Sequence, residues 1–250
     1  MRRLDSAETN KFLRSILAAT IVFVLAGESR SDEGRLEINQ ICATTSGCFD
    51  GDTAGFPVTI STSGSYVVTG ELAAASDLDG IQITADNVTL DMNGFRLVSS
   101  SSTSSAADGI EGIGLQNVEI RNGIVEGFAG RGILLADGFG GVPVAHGHRI
   151  IQMRTVGNGF QGVDLDGGGH LVSGSSSVSN GLWGFSVEGD SMIIDSVAEN
   201  NVGPGLSLAS ETGYRNTVVS NNNGGNANAQ FDGTGVDLGG NLCGGDAVCP

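Results

Sequence analysis

The stretch from Asn158 to Leu208 contains one phrase three times. Asn158-Gly159-Phe160-Gln161-Gly162-Val163-Asp164-Leu165 is answered by Asn180-Gly181-Leu182-Trp183-Gly184-Phe185-Ser186-Val187, and then by Asn201-Val202-Gly203-Pro204-Gly205-Leu206-Ser207-Leu208. The pattern is N-x-x-x-G-h-x-h, with h apolar, and its glycines stand 22 and 21 residues apart. A self-similar period of that length marks a solenoid. The apolar pairs alternate with polar residues, which is strand periodicity. The residues between them are Gly, Asn and Ser, too few and too turn-prone for a helix of about 10–12 residues.

Each repeat is therefore one coil of short strands joined by tight turns. Stacked coils pair strand on strand in parallel and share an apolar interior. The expected fold is all-β, a right-handed parallel β-helix of about eight coils with about 22 residues per coil. Asn158, Asn180 and Asn201 fall at equivalent turns and are expected to stack as a ladder, each amide bonding the next roughly 4.8 Å away. The repeat glycines are expected to supply turn conformations with positive φ.

The same phrase runs back through the chain as Gly80-Ile81-Gln82-Ile83, Gly109-Ile110-Glu111 and Gly132-Ile133-Leu134-Leu135. Asn87-Val88-Thr89-Leu90 and Asn117-Val118-Glu119-Ile120 give second strands. Two spacings are long, 29 residues from Gly80 to Gly109 and 30 from Gly132 to Gly162. The first holds the serine-rich run Ser99–Ala107, and the second holds Asp137–His148. Function in solenoids often lives on such insertions and the face beside them. The open end of a β-helix exposes strand edges and needs a cap; Leu36–Cys42 is expected to be a short amphipathic helix doing that.

The start of the chain has the look of an export signal. Arg2, Arg3, Lys11 and Arg14 precede the apolar run Ile16–Ala26, which is short for a membrane span. The chain's net charge is −16. Residues 1–31 hold five basic and three acidic residues, so the remainder carries −18 and no lysine. Such a surface repels phosphate backbones and anionic membranes. The expectation is a secreted or periplasmic bacterial protein with no nucleic-acid partner and no membrane contact after signal cleavage. Export also makes disulfides the expected state of the four cysteines, as two local bridges, Cys42–Cys48 and Cys243–Cys249. The expected division is 1–31 signal peptide, 32–55 cap with its Cys pair, 56–225 β-helix, and 226–250 closing segment with its Cys pair. Asp232–Leu238 is read as a Gly-rich closing turn rather than a calcium nonapeptide, since such sites need stacked copies.

These coils resemble the parallel β-helix repeats of the pectin-lyase-like superfamily, over about Phe56–Gly225. The frame of signal, Cys pair, repeats and terminal Cys pair resembles secreted bacterial β-helix proteins of unassigned activity. The resemblance implies the fold and leaves function open among lyases, hydrolases, epimerases, adhesins and accessory proteins.

Stacking the coils places Gln82, Glu111, Leu134, Asp164, Ser186 and Ser207 in one outward column. Asp164 and Asp166 then share a face about 7 Å apart, with Glu188 about 5 Å from Asp166 on the next coil. Three carboxylates so close raise a pKa or recruit a cation, with calcium as the candidate. The separations overlap those of acid pairs in glycoside hydrolysis. The insertion bearing His146, His148 and Arg149 enters this neighbourhood, with Arg131 one coil below. The candidate catalytic set is Asp164, Asp166, Glu188, Arg149 and His148, and the candidate calcium set is Asp164, Asp166 and Glu188. The patterns expected of polygalacturonase-like hydrolases depart here: Asp164-Leu165-Asp166 is spaced by one, His146-Gly147-His148 is inverted, and R-x-K is absent. The D-P-H-E pattern of mannuronan epimerases is absent too. The reading favoured is a non-catalytic secreted scaffold for surface adhesion or glycan binding, with polysaccharide as the partner. The alternative is a polysaccharide lyase or glycoside hydrolase acting on an acidic polysaccharide through the carboxylates.

Overall fold

The computed structural model describes residues 34–75, 77–99, 106–141 and 144–244. The expected signal segment, Cys249 and residues 100–105 of the serine-rich insertion lie outside them. An eight-stranded sheet, here the narrow sheet, runs through Val58–Ile60, Ile81–Ile83, Ile110–Ile113, Ile133–Ala136, Val163–Leu165, Phe185–Val187, Leu206–Leu208 and Phe231–Gly233. Each neighbouring pair is parallel. Each coil contributes one strand, so the chain is a parallel β-helix with seven turns between the first and last of the eight strands.

A 15-stranded sheet, the broad sheet, forms the other two sides of each turn. Its long strands Glu119–Glu126 and Arg149–Val156 bend at Asn122 and Gln152, where φ is 61° and 52°. In later coils Gly174, Asp195 and Asn216 hold that corner, also with positive φ, and the strand splits in two. Left-handed backbone is tolerated by Gly and, among other residues, best by Asn and Asp. This is one physical reason the chain is rich in Gly and Asn.

The interior is a set of apolar columns. Tyr66, Leu90, Ile120, Ile150, Val172, Ile193 and Tyr214 stack in register along the broad sheet, all buried. Across from them stand pairs such as Val163/Leu165 and Phe185/Val187 of the narrow sheet, also buried. Alternation does this: in Val163-Asp164-Leu165 the apolar residues point in and the middle residue points out.

The asparagine ladder is present and longer than the repeat shows. Asn158 Nδ2 donates to Asn180 Oδ1 at 3.0 Å, Asn180 Nδ2 to Asn201 Oδ1 at 3.0 Å, and Asn201 Nδ2 to Asn222 Oδ1 at 2.9 Å. Gln230 Oε1 ends it, accepting from Asn222 N at 2.8 Å. The glycine expectation needs correction. Gly162, Gly184 and Gly205 do not have positive φ. They are required by closeness: a Cβ on Gly184 would stand 2.6 Å from the Gly205 carbonyl oxygen and 2.8 Å from Asn201 Nδ2. The ladder and the next coil occupy the space a side chain would need.

Two boundaries shift. The cap is a strand, Arg35–Ile38, followed by a helix, Gln40–Thr45. The strand pairs with Gly64–Val68, which buries Ile38 and leaves Leu36 44 % exposed. Asn39 then starts the helix, its side chain accepting from the backbone N–H groups of Ile41 and Cys42 at 3.0 Å each. Cys42 and Cys48 are disulfide-bonded. At the other end the coils continue past 225: Phe231–Gly233, Val236–Asp237 and Leu242–Cys243 each pair onto the preceding coil. Cys243 is disulfide-bonded, and its expected partner Cys249 lies outside the described residues. Among the described residues no helix is long and apolar enough to cross a membrane.

Candidate functional site

The outward column expected from the repeat is present in register: Thr59, Gln82, Glu111, Leu134, Asp164, Ser186, Ser207 and Asp232. One column precedes the strands, with Asp79, Asp108, Arg131, Gln161 and Trp183 just ahead of the repeat glycines. Another follows them, with Ala136, Asp166 and Glu188. These three columns make the outer face of the narrow sheet.

Arg131 organises the centre of that face. Its Nε donates to Asp164 Oδ2 at 2.8 Å, and its Nη1 stands 3.8 Å from Asp108 Oδ2. Gln161 Nε2 donates to the same Asp164 oxygen at 3.0 Å. Asp164 is 6 % exposed while Arg131 remains partly open to solvent, and the ion pair holds the buried carboxylate in one place. Asp108, one coil further, is pushed up to about 6, by burial first and against the pull of Arg131, with Asp79 and Glu111 adding to the rise. Burial and then Asp79 raise Glu111, whose Oε2 accepts from Gln82 Nε2 at 3.4 Å. Asp108 and its contact with Arg131 were not anticipated. The signal was the acid just before Gly109, equivalent by position to Arg131 before Gly132.

Asp166 and Glu188 are neighbours on successive coils, as expected. Asp166 is pushed up to about 6, by burial first and then by Asp164, Glu188 and Asp137. The backbone N–H of Asp137 bonds its carboxyl and offsets part of that rise.

The histidines and Arg149 stand elsewhere. His148 is fully buried, in the turn that leads into the broad sheet. Its Nδ1 accepts from Val118 N at 3.2 Å, and its ring stacks on His170 with centroids 5.0 Å apart. His170 Nδ1 accepts from His148 N at 3.1 Å, so the proton sits on Nε2, which donates to the Asp166 carbonyl oxygen at 2.8 Å. Ser191 Oγ takes the same role for His170 N at 3.0 Å. These side chains form a second internal ladder, and His148 is not aimed at the acidic face. Burial, then His170 and His146, push His148 down to about 3. Arg149 lies on the broad sheet, its Nε 3.2 Å from Glu119 Oε2. The five residues expected together are therefore not brought together: His148 and Arg149 stand apart from Asp164, Asp166 and Glu188.

The His148 shift has a sign that can be measured. Its folded value lies below its unfolded one, so its contribution is intact above pH ~6.5 and is lost as pH falls towards ~3. Asp108 and Asp166 run oppositely: theirs is present below pH ~4 and lost as pH rises through about 6. Asn in place of His148 keeps an acceptor for Val118 N and does not titrate. Urea unfolding of wild type and His148→Asn from pH 7 to pH 4 should show the stability difference move by about 3 kcal/mol in favour of the variant.

The three carboxylates of the expected calcium set are not gathered as one ligand set. Asp164 is turned to Arg131, and among the described residues no group of three or more His, Cys, Asp or Glu is arranged to hold a metal. The face can present fixed acceptors and hydroxyls. Its accessible groups lie towards the later coils, where Trp183 is half-buried and Glu188 is exposed, and the adjoining turns add Phe160, 45 % exposed, and Val202, 68 % exposed.

No protein-family model matches the chain, and no curated protein sequence matches it. Among solved structures it is similar to the A-module of a mannuronan C-5 epimerase from Azotobacter vinelandii. The identity is 10 % and the TM-score 0.31, over 76 % of this chain and 68 % of that one. At that level the likeness says nothing of substrate or mechanism, and the fold rests on the strand register itself.

Proposed function

We propose that the protein is a non-catalytic β-helix scaffold that binds glycan along the outer face of the narrow sheet, on its later coils. One observation carries this reading: of the candidate groups that would work beside the acids, His148 and Arg149 stand on other faces, and the cation that does stand there, Arg131, is ion-paired to Asp164. His148 is inside and Arg149 is ion-paired on the broad sheet. Asp164 is held by Arg131 and Gln161 and is not free to act as a nucleophile or base. What remains accessible suits a sugar chain: Trp183 and Phe160 as apolar surfaces, with Ser207 and Glu188 as polar partners. The column repeats every coil, roughly 4.8 Å, a length of the order of one pyranose unit. The face carries more carboxyls than cations, which favours neutral over acidic glycans. The disulfides support an oxidising, extracytoplasmic location.

Asp166, raised to about 6 beside Glu188, keeps a hydrolase as a second reading. Incubation with neutral and acidic polysaccharides, followed by reducing-end and unsaturated-product analysis, separates the two. The scaffold reading expects retention on a neutral glycan and no products. Products that vanish in Asp166→Asn/Glu188→Gln would establish the hydrolase or lyase instead.

A further inference from the structure

A depression of about 550 Å³ lies at the corner just past Val202. It belongs to the turn before the strand Leu206–Leu208 and is next to the aromatic end of the proposed face, since Gly203 packs beside Trp183. That volume falls within the range of small-molecule sites. Its lining is unusual for this chain. It holds Asn200, Asn221, Asn223, Val202 and the backbone of Gly224 and Gly225, and no carboxylate, although the chain has 28 acidic residues.

The corner geometry builds it. Gly157, Ser179, Asn200 and Asn221 occupy one stacked position with positive φ in successive coils. Only the last two carry amides there. Asn221 Nδ2 donates to Asn200 Oδ1, so among the described residues Asn200 Nδ2 and Asn221 Oδ1 are left to face a ligand. Asn223 Nδ2 donates to the Ala229 carbonyl oxygen at 3.2 Å, which leaves its Oδ1 as a further acceptor. An amide nitrogen and two amide oxygens beside the exposed Val202 side chain form an uncharged, amphipathic set.

We infer that this asparagine-lined corner is a binding site for one neutral sugar unit, its hydroxyls meeting the three amides and its C–H face resting on Val202. Hydroxyls both donate and accept, which is what the mixed amide set asks for. The inference extends the glycan-binding reading and shares its premise that the ligand is a sugar, but it rests on a separate set of residues.

The test uses glycine substitutions, because glycine keeps the positive φ that alanine would strain. Gly157 already holds this corner two coils before Asn200. Glucose, galactose, mannose and N-acetylglucosamine are titrated separately to about 10 mM, a range that reports millimolar affinity, while the side-chain amide NMR signals are followed. For at least one sugar, saturable shifts are expected in the Asn200, Asn221 and Asn223 signals. Asn200→Gly/Asn223→Gly should keep its thermal midpoint and bind that sugar about tenfold more weakly, as loss of two neutral hydrogen bonds implies. No shift at these amides with any of the four sugars overturns the site, as does undiminished binding by the double variant. A long glycan that still binds the double variant fully leaves the sheet-face reading standing without the pocket. A monosaccharide that shifts the amides while no long glycan binds leaves the pocket standing without the sheet-face reading.

Discussion

Asn180→Ala is expected to destabilise the coils by roughly 3–5 kcal/mol, read as a fall in the urea midpoint with little change in slope. Asn180 is fully buried and works in both directions. Its Oδ1 accepts from Asn158 N and Asn158 Nδ2, each at 3.0 Å, and its Nδ2 donates to Asn201 Oδ1 at 3.0 Å and Ser177 Oγ at 2.9 Å. Alanine leaves two buried donors of Asn158 without their acceptor, in a space too enclosed for easy replacement. Asp is the more telling substitution, because it sets an oxygen where the Asn201 oxygen expects a donor and adds a buried charge. The exposed Asn216, which bonds Asp195 Oδ1 at 3.0 Å, is the control. Asn216→Gly keeps the left-handed backbone and should cost no more than about 0.5 kcal/mol.

Arg131→Met should cost about 3–5 kcal/mol at pH 7, because it leaves Asp164 and Asp108 buried without their counter-charge. The penalty should shrink towards pH 5, where Asp108, raised to about 6 by burial, takes up a proton instead. Arg131→Met/Asp164→Asn should recover most of the loss, giving a coupling energy well above the few tenths expected of independent sites. Chemical denaturation of the four members of this cycle, at both pH values, checks the prediction. Additive losses would mean that Arg131 and Asp164 are not the coupled pair the geometry shows.

The fold was legible because its physics is periodic. A strand that alternates and a turn that needs an amide at one place write themselves into the chain every 21 or 22 residues, so the Asn ladder and the outward column could be read directly. The glycine's reason could not: positive φ and a forbidden Cβ select the same residue, and only the position of the next coil's carbonyl tells them apart. The centre of the candidate face was half legible. Asp164 was visible as an outward acid, but its partner Arg131 stands 33 residues away across an irregular insertion, which hides coil-to-coil contacts. The histidines misled for a related reason. His148 and His170 sit just before inward-pointing strand residues, where the turn needs a buried acceptor, and a titratable side chain there looks like chemistry. The tail escaped notice because its glycines blur the period while its backbone keeps pairing.

A ligand on the outer face of the narrow sheet comes up against an intrinsic fluorophore. The chain has one tryptophan, Trp183, and it stands on that face, ahead of the strand Phe185–Val187. The measurement is a fluorescence titration of the unmodified protein with a neutral oligosaccharide that it retains on an affinity column. Binding on this face should give a saturable change in Trp183 emission whose midpoint matches the affinity measured by calorimetry. Calorimetric binding with no change at Trp183, across every glycan retained, would place the ligand on another surface and contradict the claim.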